Sequence, residues 1–298
     1  MTLQIIPITD DKQWHDLRRQ DVTASEVAAL FGQYPFKTAL RVFSEKSGAI
    51  LPQNSDNSAM QQGRWAEGMF PAAMKEQEGI ELFKETDYYR DSVIRLGATP
   101  DFKAMRDGKK GKIEAKICTP DIWEKWGETL PIHYLLQHQA QYAVDPESEW
   151  GGIALIIMRF KKSELKWFPI DPRPVTIQKI RDTVIQFWKD VAENNPPPAN
   201  YKTDTETLKM LYRDSDGEPI DLNGDNRLPG LLDRYLSLKA QVKEADSEIE
   251  EIANEIRDKM GSAERGIIDG FKLSYKSFAK KEYTVAASIQ RQLRVSRA

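Results

Sequence analysis

The chain has 298 residues, 40% of them hydrophobic and 9% aromatic, with one cysteine, three histidines and a formal net charge of −3. This is the composition of an ordinary globular protein of enzyme size, and it excludes a disulfide framework, a four-cysteine iron–sulfur cluster and a cysteine zinc site. No window reaches the roughly 18 apolar residues of a membrane span, and "MTLQIIPITDDKQW" lacks the basic and apolar segments of a secretory leader, so residence in the cytoplasm is expected.

In chain order, "TASEVAALFG" predicts a helix entered through a Thr/Ser cap and closed by Gly32, and "TALRVFSEKSG" a second helix ended by Gly48. A third is expected over "GRWAEGMFPAAMKEQEG". The period then changes: "SVIRLGATPDF", "KGKIEAKICT", "GGIALIIMRF" and "ELKWFPID" are β-rich runs separated by turn signals such as "RDGKKG" and "DPESEWGG". Between the second and third runs, "WGETLPIHYLLQHQAQYAVD" reads as a helix after Pro131. A last helix stops at "ENNPPPANYKTDTET", where three consecutive prolines force an extended segment and set a boundary near residue 200. The order predicts an α/β domain over residues 1–200, a mixed central sheet with helices on both sides, and an accessory region over 201–298. In that region Leu238, Val242, Ala245, Ile249, Ile252 and Ile256 recur at spacings of three and four. They form the apolar seam of a coiled-coil-like helix that packs on its own domain or on another subunit or protein. "GFKLSYKSFAKKEYTV" alternates as an exposed strand pair does.

The chemistry concentrates in "GATPDFKAMRDGKKGKIEAKICTP". Residues two apart in a strand share a face, so Glu114 and Lys116 project together while Ile113, Ala115 and Ile117 face the other way. The short "RDGKKG" turn folds the preceding strand, with Asp101 at its end, back alongside. Two carboxylates at one place repel unless a cation lies between them, and with so few Cys and His the fitting cation is a hard one, Mg²⁺ or Mn²⁺. A lysine beside such a metal can have a depressed pKa and orient or deprotonate a water, which suits hydrolysis of a phosphodiester. A solvated Glu114–Lys116 ion pair on an edge strand is the plain alternative.

Pro100-Asp101 followed by Glu114-Ala115-Lys116 resembles the PD-(D/E)xK nuclease signature. "LRRQDVTASEVAALFGQYPFKT", "GRWAEG" and "QHQAQYA" are similar to further motifs of one branch, the YqaJ-type phage recombinase nucleases that include phage lambda exonuclease. The ordered set runs from Leu17 to Ala143.

The resemblance implies that Asp101, Glu114 and the backbone carbonyl of Ala115 hold a catalytic Mg²⁺ or Mn²⁺, with Glu67 helping to hold a second ion and Lys116 acting on the attacking water. It assigns Arg18 and Ser25 to the terminal 5′-phosphate of DNA, with the Thr99 hydroxyl in reach. A helix N-terminus is an independent reason to place phosphate near Ser25. Gln141 matches the glutamine of the last motif; Gln139, two residues away, cannot share its helix face. Phe102 departs from the family, where a small residue follows the Asp. Trp65, Trp123 and Trp126 are expected as packing anchors.

The implied activity is a Mg²⁺-dependent 5′→3′ exonuclease on double-stranded DNA ends. It leaves 3′ single strands for a single-strand annealing protein, and it works as a ring trimer in the cytoplasm of a bacterial host carrying the phage or prophage. A DNA-binding or assembly protein without turnover, and a restriction-type endonuclease, are the alternatives.

Overall fold

The computed structural model describes residues 2–52, 58–160, 162–281 and 291–297. The chain divides into two compact units, Met1–Leu211 and Tyr212–Ala298. The first contains β1 (Leu3–Pro7), α1 (Asp11–Gln20), β2 (Val22–Thr23), α2 (Ala24–Leu30), α3 (Ala39–Lys46), α4 (Ser58–Ala66), a 3₁₀ turn (Glu67–Met69), α5 (Phe70–Glu78), β3 (Leu82–Lys84), β4 (Asp87–Asp91), β5 (Leu96–Ala98), β6 (Phe102–Arg106), β7 (Lys109–Cys118), α6 (Pro120–Lys125), α7 (Ile132–Val144), β8 (Trp150–Ile157), β9 (Glu164–Pro169), α8 (Pro174–Ala192) and α9 (Thr205–Leu211). α9 extends the first unit past residue 200: the Thr38 hydroxyl donates to Asp204 and the Arg41 guanidinium reaches Met210 Sδ at 3.1 Å.

The fold is mixed α/β, as expected, but its strands form two sheets rather than one. A five-stranded sheet has the order β3-β6-β7-β8-β9 and a four-stranded sheet the order β1-β4-β5-β2. In the larger sheet β7 and β8 run parallel and the other pairs antiparallel. Proline explains the split: Pro100 has no N–H for a ladder, so the run read as one strand breaks between β5 and β6. Asp101 therefore lies in the break just ahead of β6, not at the end of a strand.

The β6–β7 hairpin closes through Asp107 (φ 52°) and Gly108 (φ 75°), the two positive-φ positions that a tight hairpin turn requires, with Arg106 paired to Lys109. α7 then crosses to β8, which is buried along its whole length. Gly151 permits this: a Cβ there would lie 2.2 Å from the Lys112 carbonyl and 3.0 Å from His138 Nε2 on α7.

One apolar cluster joins α2, α3, α7 and α8 to β5 through Val27, Phe43, Leu96, Ala140, Val144 and Val184. A second packs Phe70 and Met74 of α5 on Phe102, Ile113, Ala154 and Ile156. Phe102 belongs to this core at 2% exposure, and its burial holds the residue before it in place.

The stretch expected as a third helix is interrupted. Pro71 has no N–H for the carbonyl four residues back, which is that of Glu67, and the helix tightens there into the 3₁₀ turn before α5 resumes and ends at Gly79 (φ 67°). Trp65 on α4 is 71% exposed rather than a packing anchor, because its neighbour Ala66 takes the inward position. Trp123 is buried and Trp126 is partly buried against it.

The second unit contains α10 (Leu228–Met260), β10 (Arg265–Ile268) and β11 (Phe271–Ser274). The hairpin of β10 and β11 starts earlier than the strand pair read from sequence, and the part of that expectation at 282–285 lies outside the described residues. Among the described residues, Leu231, Leu238, Val242, Ile249, Ile252 and Ile256 along the α10 seam are 40–63% exposed. Among the described residues no helix is long and apolar enough to cross a membrane.

Candidate active site

β7 carries Glu114 and Lys116 on one face, and Ile113, Ala115 and Ile117 pack into the α5 core on the other. Lys116 Nζ lies 2.5 Å from Glu114 Oε1. Asp101, from the break before β6, accepts the Ala115 backbone N–H at Oδ2, 2.8 Å away, where the β6 ladder has ended at Phe102 and Ile113. The three residues of the signature thus meet at one end of the hairpin.

Glu114 is buried and held from three sides. Besides Lys116, Gln141 Nε2 donates to its Oε2 at 2.5 Å and Gln137 Nε2 to its Oε1 at 2.5 Å. Gln137 was not singled out in the sequence, although the signal was present: residues four apart on a helix share a face, so Gln137 and Gln141 project together. Gln139 points elsewhere, accepting from the Arg173 N–H and donating to the Asp171 carbonyl, both at 2.8 Å. Gln141 Oε1 is buried with no hydrogen-bond partner among the described residues.

Burial, and then the charge of Glu114, push the Asp101 carboxyl up to about 7. Burial works against the Lys116 ammonium, but Glu114 and Asp101 beside it hold its pKa above the ordinary lysine range. As placed, the Lys116 ammonium donates to Glu114 Oε1.

Glu67 stands somewhat apart. It forms an ion pair with Lys84 of β3, yet its charge is felt at Asp101 and both residues line one cleft of about 1630 Å³. Arg18 and Thr99 line the same cleft. The Arg18 guanidinium lies over the Trp14 ring, 4.3 Å from its centre, and reaches Ser25 Oγ at 3.4 Å, while Trp14 Nε1 donates to Thr99 Oγ1 at 3.2 Å. Trp14 thus links the three residues expected at the phosphate. Its i, i+4 relation to Arg18 was readable only once α1 was known to be a helix.

Ser25 is not the cap of α2. Thr23 is, and both its N–H and its hydroxyl donate to Glu26, at 3.1 and 3.0 Å. Glu26 in turn pairs with Lys37 at 3.1 Å and Lys46 at 2.9 Å.

The model of the YqaJ-like viral recombinase domain family matches residues 13–148, the stretch that holds every residue from Trp14 to Gln141 named above. This part of the chain is similar to the YqaJ-like viral recombinase domain. The chain is also 24% identical over 269 residues to the uncharacterized protein YqaJ of Bacillus subtilis strain 168, spanning 89% of this chain and 82% of that one. Among solved structures, the alkaline exonuclease LHK-Exo of Laribacter hongkongensis matches with a TM-score of 0.47 and 20% identity, over 67% of this chain and 99% of that one. A putative exonuclease from Eubacterium rectale matches with a TM-score of 0.43 and 10% identity, over 73% and 99% of the two chains.

Oxygen donors of the kind gathered at this site are those that hard cations take. It offers the buried Glu114 carboxylate, the partly buried Asp101 carboxylate and a peptide carbonyl, and desolvation followed by the charge of Glu114 raises Asp101. Among the described residues no three His, Cys, Asp or Glu side chains converge as a ready-made cage.

Proposed function

We propose that the YqaJ-like domain is a divalent-metal-dependent deoxyribonuclease that degrades double-stranded DNA from its ends in the 5′→3′ direction and leaves a 3′ single strand for an annealing protein. The observation that carries this reading is that Asp101, beside Glu114 and Lys116, lines the same cleft as Arg18 and Thr99. In this reading the hydrolytic group opens, through Asp101, on the same space as the anion-binding group.

In this reading Asp101, Glu114 and the Ala115 carbonyl hold Mg²⁺ or Mn²⁺, with Glu67 and its water shell toward a second ion. When bound, the cation supplies Lewis-acid polarisation of the phosphate and a more acidic water. The chain's own groups do the rest. Lys116 keeps its proton and orients the water through its N–H donors. Gln137 and Gln141 fix the rotamer of Glu114 so that its oxygens face one way. Arg18, stacked on Trp14, presents a charge-assisted fork to a terminal phosphate, and the Ser25 and Thr99 hydroxyls complete the grip.

A DNA-binding module without turnover is the second reading, and one observation favours it: Lys116, Gln137 and Gln141 already occupy both oxygens of Glu114.

The test uses a blunt linear duplex and a sealed circle of the same sequence, each with and without Mg²⁺. Digestion of the linear form alone, dependent on Mg²⁺, is the expected result. Binding without cleavage of either substrate supports the second reading, and cleavage of the circle refutes end-directed action.

A further inference from the structure

Among the described residues nothing covers the apolar seam of α10, whose residues Leu231, Leu238, Val242, Ile249, Ile252 and Ile256 are 40–63% exposed. The helix is 33 residues long, about 50 Å at 1.5 Å per residue, and the buried residue of α10 is Met260, at its end. Its apolar positions alternate three and four apart from Leu231 to Ile256, a heptad pattern in which Tyr235, Val242, Ile249 and Ile256 take the a positions and Leu231, Leu238, Ala245 and Ile252 the d positions.

We propose that α10 pairs with α10 of a second copy of this chain, and that the two helices run antiparallel. The occupant follows from self-complementarity. With the helices opposed, the layers become Leu231 on Ile256, Leu238 on Ile249, Ala245 on Val242 and Ile252 on Tyr235. Each occurs twice about a two-fold axis, and the smallest layer lies nearest that axis.

The flanking charges select the direction. Lys239 and Asp246 take e positions, and in the antiparallel arrangement each faces the other across the seam. Arg234 and Glu255 take g positions and do the same. In a parallel pair, where g faces the e position five residues on, Arg234 would face Lys239, and Gln241 and Glu248 would face Asp246 and Ala253. No opposite charges would meet. The Lys239 ammonium lies over Tyr235, 5.9 Å from the ring centre, at the rim of the seam where such a pair forms.

Isologous contacts of this kind close on themselves. The pairing gives a dimer, or six subunits where it joins two three-membered rings.

The experiment is sedimentation equilibrium of the full chain over a range of concentrations, with the variants Lys239→Glu and Lys239→Glu/Asp246→Lys. Residue 239 is exposed, so neither variant disturbs a core. An even-numbered assembly is expected. Lys239→Glu should weaken it about tenfold, because two attractive pairs become two repulsive ones at a few tenths of a kcal/mol each, and the double variant should return to within about twofold of the parent. A monomer or a trimer at every concentration overturns the pairing. An unchanged affinity in Lys239→Glu does the same, and a tighter one overturns the direction, because relief of Arg234 against Lys239 is what a parallel pair would give.

Discussion

Gln137 and Gln141, one turn apart on α7, each place an amide nitrogen 2.5 Å from a different oxygen of the Glu114 carboxylate. A carboxylate on a strand is thereby fixed by a helix that enters from the crossover to β8. Hydrogen bonds to a charged acceptor contribute about 1.5–3 kcal/mol. Gln137→Ala and Gln141→Ala should therefore each slow digestion of linear duplex by roughly ten- to a hundredfold. Because both act through one side chain, the double variant should fall short of the product of the single effects. Full additivity in a steady-state double-mutant cycle would show that the two glutamines work independently of Glu114.

Desolvation, and then the charge of Glu114, raise the Asp101 pKa from 3.8 to about 7, so its ionised form destabilises the fold, and that penalty grows as pH rises through this window. Asp101→Asn should abolish hydrolysis and yet raise the melting temperature at pH 8 without metal. Mg²⁺ should stabilise the parent by mass action, about 2.7 kcal/mol at a hundred times Kd, and should stabilise the Asn variant far less. Calorimetric melting curves with and without Mg²⁺ decide it. A variant less stable than the metal-free parent contradicts the assignment.

Arg18 should matter only when a terminal phosphate is present. Arg18→Ala is expected to slow digestion of 5′-phosphorylated duplex by about one to two orders of magnitude and to leave 5′-hydroxyl duplex nearly unchanged, since the lost contact is a charge-assisted fork. Lysine should rescue part of the loss, because a point charge cannot reproduce the fork. Equal slowing on both substrates, measured side by side, would place Arg18 in general DNA binding.

Glu26 offers a test that involves no substrate. Burial opposes its charge, but Lys46, Lys37 and Arg18 outweigh that and hold its pKa at about 2, against 4.5 when unperturbed. A depressed carboxylate stabilises above its unfolded pKa and loses the effect as pH falls through the folded one. Glu26→Gln should therefore cost about 3 kcal/mol at pH 7, and the gap to the parent should shrink between pH 4.5 and pH 2. Urea midpoints across that range report it. A gap that stays constant with pH would mean that Glu26 acts as a hydrogen-bond acceptor and not as a charge.

The catalytic signature was legible because its geometry is local. Strand periodicity puts Glu114 and Lys116 on one face, and the Asp107-Gly108 turn returns the chain within two residues, so Asp101 had to lie near. The role of Gln137 was legible in principle, since it needs only the helical period that had already separated Gln139 from Gln141.

Other features had no such local rule. Trp14 meets Thr99 across 85 positions of sequence, and Glu67 meets Lys84 across 17, through strands whose partners no periodicity names. The same holds for the two sheets: Pro100 announces a break, but only long-range packing decides that β5 leaves for one sheet and β6 for the other. The seam of α10 shows the converse case. The heptad pattern alone determined that an apolar stripe exists, because spacing along a helix sets its faces. Whether the stripe would be covered depended on long-range packing, and among the described residues its apolar side chains stay exposed. Sequence thus determined which groups share a face, through dihedral periodicities that act over a few residues. Only the fold decided which faces meet, because burial acts between segments far apart in the chain.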